Sequence, residues 1–140
     1  MKETELSAEE RARLDEAFAL VPYARLLGIE FVSAERGAAT FALDVRDELT
    51  RMGGILHGGA VVSLLDTAAA FAVHTVIKPD ARTVTVDLTV HFLRPASDGR
   101  IEAQARVLRR GRRVCILSVE ARDANAEIIA TSTMTYFIQI

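Results

Sequence analysis

The stretch from Gly58 to Ile77 constrains this chain more than any other. It is apolar nearly all the way round, with small residues at Ala60, Ala68, Ala69, Ala70 and Ala72, and Lys78-Pro79-Asp80 stops it. A helix without a polar face has to be enclosed by other structure. The run is long enough to raise a membrane-spanning reading. Yet Ser63, Asp66 and His74 interrupt it, and everything after it alternates like a soluble sheet. The expectation is therefore a buried helix from about Gly59 to Ile77.

The rest of the chain has to supply the enclosure. Ser7-Ala8-Glu9-Glu10 reads as a helix N-cap, and Leu14, Phe18 and Val21 form one stripe of the helix that Pro22 ends. Pro22 to Gly28 reads as a short turn or helical piece. Ile29 to Glu35 and Ala38 to Val45 alternate and turn at Arg36-Gly37, which predicts a hairpin. Four strands follow the central helix: Thr83 to Leu93, Ile101 to Leu108, Val114 to Ala121 and Glu127 to Ile138. In the first of these, alternation predicts Val84, Val86, Leu88, Val90 and Phe92 packed on the helix, with Thr83, Thr85, Asp87, Thr89 and His91 on the polar face. Short connections favour antiparallel pairing. The fold class read from this order is α+β, a sheet curled around one long helix.

At 140 residues, with 50% apolar and 26% charged, the chain is read as one globular domain with its own core. Residues 1–28 form an N-terminal helical segment and residues 29–140 the core. A net charge of −2 gives no reason to expect nucleic acid or an anionic membrane as a partner. Met1 to Arg13 lack an apolar run, so no secretion signal is read and a cytoplasmic location is expected. Cys115, the one cysteine, lies among Val114, Ile116 and Leu117 and reads as a small buried hydrophobe. No cluster of metal ligands is present, and no cofactor is expected.

The chemistry is concentrated where the central helix begins. Gly54-Ile55-Leu56-His57-Gly58-Gly59 makes a glycine-rich turn into the helix, and free N–H groups there suit developing negative charge. Asp66, nine positions after His57, sits in an otherwise apolar helix. A carboxylate in such surroundings is costly unless it is paired, hydrogen-bonded, protonated or used. Its structural alternative is a buried aspartate bonded to the backbone, to Thr67 or to Thr85. Asp66 also lies about 12 Å along the helix from its start, at 1.5 Å per residue. One straight helix cannot bring both groups to the same carbonyl. If both act, they come from two subunits with antiparallel helices, an arrangement a two-fold dimer supplies twice.

The Gly54-to-Gly59 run followed by Asp66, with Val84-Thr85-Val86-Asp87-Leu88-Thr89-Val90 and Arg94-Pro95-Ala96 after it, resembles the hot-dog acyl-CoA thioesterases of the PaaI-like and 4-hydroxybenzoyl-CoA thioesterase-like group. The likeness spans about residues 20–138. It implies a hot-dog fold and hydrolysis of an acyl-CoA thioester. The Gly58 N–H would bind the thioester oxygen, His57 would orient or supplement the donors, and Asp66 would be general base or nucleophile. By the same resemblance Thr85 would aid the base or water, although alternation places it on the polar face. The family pattern implies a homodimer, with dimers pairing into a tetramer. Arg51 departs from that pattern, since many relatives carry Asn or Gln six residues before the histidine. An arginine donates hydrogen bonds but cannot accept them, so Arg51 either reaches the site or points outward to a phosphate or solvent.

Further substrate contacts are assigned to Gly59 and Thr67. In the tip Arg109, Arg110, Arg112 and Arg113, Arg110 and Arg112 are candidates for coenzyme A phosphates, the alternative being a solvated hairpin end. Two other functions compete: a hot-dog dehydratase or hydratase, and a non-catalytic acyl-CoA sensor. The glycine turn fits carbonyl polarisation better than the first, and retention of Asp66 argues against the second.

Overall fold

A capping box starts α1 (Ala8–Ala19): the Ser7 hydroxyl accepts from the Glu10 N–H while the Glu10 carboxylate accepts from the Ser7 N–H. The computed structural model describes residues 3–139. A short α2 (Pro22–Leu27) follows and ends on Gly28, whose φ of 72° closes the helix in the left-handed conformation. The hairpin of β1 (Glu30–Glu35) and β2 (Ala38–Asp44) turns at Arg36-Gly37 as predicted. A 3₁₀ turn, Asp47–Leu49, and a glycine loop then lead into α3 (Gly58–His74). The remaining strands are β3 (Arg82–Phe92), β4 (Arg100–Arg110), β5 (Val114–Arg122) and β6 (Ile128–Gln139).

All six strands pair antiparallel in one sheet, in the order β1-β2-β4-β5-β6-β3. The chain thus crosses from β2 to the far edge before β3 forms, and α3 fills that crossing. The helix packs against β2, β3, β4, β5 and β6. Leu64, Leu65, Ala68, Ala69, Ala72 and Val73 are fully buried on its sheet side, against Phe41, Leu43, Ile101, Leu117 and Met134. Phe18 of α1 joins Phe31, Phe41 and Phe71 in an aromatic cluster that closes one end; Phe31 and Phe41 stack at 4.7 Å between centroids. Cys115 is fully buried, and burial pushes its thiol pKa up.

Three expectations are corrected by the structure. The central helix ends at His74, three residues short of Ile77, because the Thr75 and Val76 N–H groups bond three residues back and tighten the last turn. The strand after it does not keep one face. A β-bulge between Thr85 and Asp87 inserts Val86 as an extra residue, so the inward set switches part-way along the strand. Thr83 and Thr85 face the helix before the bulge and Leu88 and Val90 after it, while Val84 and Val86 stand exposed on the outside.

The helix is also not enclosed all round. Val62, Ser63, Asp66, Thr67, Ala70 and His74 form a half-open stripe at helical spacing, since one sheet covers only one side of a helix. Among the described residues no helix is long and apolar enough to cross a membrane.

Candidate active site

The loop entering α3 is held at several points. Thr50 bridges Leu56, the Leu56 N–H donates to the Ala96 carbonyl at 2.7 Å, and the His57 N–H donates to the Leu49 carbonyl at 2.8 Å. Gly53 and Gly54 supply the reversal, with φ of 92° and 75°, where an L side chain would be strained. His57 then caps the helix, its Nδ1 accepting from the Gly59 N–H at 2.8 Å. That bond requires an unprotonated Nδ1, so a neutral imidazole carries its proton on Nε2. The Gly58 N–H, by contrast, has no partner among the described residues.

Beside Gly58 lies a cleft of about 320 Å³ lined by Ile55, Val61, Phe92 and Leu93, with Arg51 and Arg94 at its rim. The Arg51 guanidinium donates to the Met52 carbonyl at 3.0 Å, and Arg94 pairs with Glu127 at 3.0 Å. A donor and an apolar wall therefore meet at the helix start, in a cleft that two arginines also line. An oxyanion placed there would meet the unpaired N–H and the positive end of the helix dipole.

Eight residues along α3, Asp66 lies half-buried on the open stripe. Its Oδ1 accepts from the Thr85 hydroxyl at 3.0 Å and from the Tyr136 hydroxyl, which also lies 2.7 Å from the Asp66 main-chain carbonyl. Thr85 and Tyr136 are cross-strand partners on β3 and β6, so both hydroxyls project from one point of the sheet. The inward turn of Thr85 depends on the bulge one residue later. Tyr136 is 1% exposed. Burial, then the adjacent Asp66 charge, push its pKa far above the usual tyrosine range, so it stays a donor.

The structure thus brings Asp66 and Thr85 together, and Gly58 with Arg51, but as two separate groups within one chain. Gly59 serves the His57 cap. The Thr67 hydroxyl donates to the Ser63 carbonyl at 2.8 Å within the helix, not to Asp66. Arg110 donates to the Val76 carbonyl at 3.3 Å and to its own hairpin tip, and Arg112 is exposed beside it. Both lie past the C-terminal end of α3, about 25 Å from Gly58 by helix rise. Sequence reasoning missed Tyr136. Its signal was present, for Ser132, Met134, Tyr136 and Ile138 alternate on the buried face, and a buried tyrosine needs a partner for its hydroxyl.

A curled antiparallel sheet holding one long helix defines a hot-dog protein, here with an N–H unpaired among the described residues at the helix start and a hydroxyl-bonded carboxylate in its middle. The thioesterase superfamily model matches residues 53–130. The medium/long-chain acyl-CoA thioesterase YigI of Salmonella typhimurium is 32% identical, across 95% of this chain and 97% of that protein. A thioesterase family protein from Silicibacter pomeroyi superposes with a TM-score of 0.88 at 28% identity, covering 94% of this chain and 98% of the other. The PaaI protein of the Escherichia coli phenylacetic acid degradation operon has the same fold, with a TM-score of 0.88 at 24% identity over 97% and 96% of the two chains. The chain belongs to the thioesterase superfamily, and its chemistry is thioester hydrolysis.

Proposed function

We propose that this protein hydrolyses an acyl-CoA thioester at a site shared between two copies of the chain. The Gly58 N–H of one copy holds the developing oxyanion, and Asp66 of the other acts on the carbonyl carbon. As general base, Asp66 takes a proton from water, the hydroxide adds to the carbonyl, and the C–S bond breaks. The proton then passes to the leaving thiolate, and acid and thiol depart. As nucleophile, Asp66 adds to the carbonyl carbon, the C–S bond breaks and the thiolate leaves. Water then opens the resulting acyl anhydride, which regenerates the Asp66 carboxylate, frees the acid and supplies the proton that the thiolate takes up.

The observation carrying this reading is the Asp66 carboxylate itself, oriented by Thr85 and Tyr136 and half-exposed on the one stripe of α3 that its own sheet leaves open. Similarity to YigI, 32% identical over nearly the whole of both chains, favours a coenzyme A ester as the substrate. Support for the sharing of the site comes from the same helix holding both groups some 12 Å apart.

A second copy also answers an edge problem. β3 is a sheet edge 11 residues long, and long unpaired edges invite pairing. Pairing across β3 would continue the sheet and lay the two open helix stripes against each other. The arginine tip of one copy would then approach the cleft of the other, where Arg112 is exposed and Arg110 is already engaged. Pairs of dimers are part of this reading, as is a single domain over residues 1–140.

The test is thiol release from phenylacetyl-, benzoyl-, acetyl-, hexanoyl- and palmitoyl-CoA, wild type beside Asp66→Asn. Release by the wild type and its loss in Asp66→Asn, with the fold retained, is the expected result. Equal release by both removes Asp66 from the mechanism. Tight binding of the esters without release moves the acyl-CoA sensor ahead.

A further inference from the structure

We propose that Tyr136 is a positioning residue for the reaction: with Thr85 it loads both hydroxyl bonds onto Oδ1 of Asp66 and leaves Oδ2 as the oxygen that meets water or the thioester carbon. The inference rests on the reading of Asp66 as the reactive carboxylate. Among the described residues, Oδ1 has two donors and Oδ2 has none. A carboxylate with both oxygens free can rotate about its terminal torsion, which is soft. Two donors on one oxygen stop that rotation.

Neither donor is free to wander. Tyr136 is buried on β6, and its hydroxyl is shared with the main-chain carbonyl of the same aspartate, so the ring is anchored to the helix backbone as well as to the carboxylate. Thr85 stands directly opposite Tyr136 in the β3–β6 register, immediately before the bulge. Helix and sheet are therefore cross-linked at one carboxylate oxygen, on a residue that lies half-buried on the open stripe. Tyr136 itself touches neither water nor substrate in this scheme. Its hydroxyl fixes the direction from which Oδ2 approaches the carbonyl, a matter in which small misplacements are costly.

Kinetics of Tyr136→Phe and Thr85→Val, beside wild type and Asp66→Asn, test this on the fastest ester of the CoA panel. Phenylalanine keeps the ring, and the Asp66 carbonyl stays in the helix ladder. Tyr136→Phe is expected to lower kcat about 10- to 100-fold, the scale of one hydrogen bond to a charged group, with KM within about twofold. Thr85→Ser should retain most of the activity that Thr85→Val loses.

An unchanged kcat, or a rise in KM alone, overturns the proposal. Should Tyr136→Phe fail to fold, the Tyr136 hydroxyl proton decides by NMR. It is expected far downfield in wild type and shifted upfield in Asp66→Asn, and an unchanged position overturns the proposal. If Asp66→Asn keeps full turnover, the base reading falls and this one with it. If Asp66→Asn is inactive while Tyr136→Phe is normal, only the role of Tyr136 falls.

Discussion

Gly58 and Gly59 stand side by side at the start of α3 and are glycine for different reasons. A Cβ on Gly59 would lie 3.0 Å from the His57 Nδ1, so any side chain there would push the capping imidazole back by a few tenths of an ångström. A Cβ on Gly58 would touch the Phe92 ring at 3.4 Å, an ordinary contact, and neither glycine has a positive φ. Gly59→Ala should displace the imidazole and cost roughly 0.5–2 kcal/mol, the usual range for a lost N-cap, visible as a lower melting temperature. Gly58→Ala should fold normally and place a methyl group in the cleft. Its expected signature is lower thioester turnover at unchanged melting temperature. The pair of measurements separates capping from substrate access, which the tandem glycines conceal in the sequence.

Elements are joined here by a few polar anchors as well as by the core. Glu10 completes the capping box of α1 and accepts from both terminal nitrogens of Arg36, at 2.9 and 3.0 Å. Arg36, in the β1–β2 turn, also donates to the Thr75 carbonyl just past α3, and the Gly37 N–H donates to the Thr75 hydroxyl. The Glu10–Arg36 pair and Gly37 thus link α1, the hairpin turn and the end of the central helix. The Arg36 hydrogen bond, then the Ser7 N–H, hold the Glu10 carboxyl at about 2, well below its ordinary 4.5. A lowered folded-state pKa contributes stability that is present above the ordinary value and lost as pH falls towards the lowered one. The melting-temperature gap between wild type and Glu10→Gln should therefore be widest above pH 4.5 and close as pH approaches 2. Added salt should narrow it at neutral pH, because both side chains of the pair are partly open to solvent.

At the scale of the whole molecule, the open stripe of α3 and the long β3 edge lie on the part of the chain that holds Asp66. A second copy placed there would make Asp66 of one chain and Gly58 of the other parts of a single site. Ala70→Arg puts a charge on the stripe one helical turn from Asp66 and should yield a folded, inactive monomer by light scattering and thiol release. Mixing Asp66→Asn chains with chains disabled at the Gly58 turn should restore one working site per mixed dimer. Absence of any recovery after subunit exchange would show that each chain works alone.

The buried helix, the hairpin at Arg36-Gly37, the strands and the α+β class were legible because hydrophobic period and turn residues act over a few neighbours. Asp66 and the glycine turn were legible for the same local reason, a charge in an apolar run and a run of glycines before a helix. The β3 bulge was not. Alternation predicts one face for all of Thr83 to Phe92, and only the pairing of β3 with β6 decides where an extra residue is inserted. That pairing turned Thr85 inward and set it opposite Tyr136, 51 positions further along the chain. The order of strands, with β3 carried to the far edge, is likewise a property of non-local pairing. The sequence by itself determined that a carboxylate would sit in an apolar helix behind a glycine-rich turn. Only the tertiary structure decided which hydroxyls hold that carboxylate and which side of its helix stays open, because both depend on contacts between segments far apart in the chain.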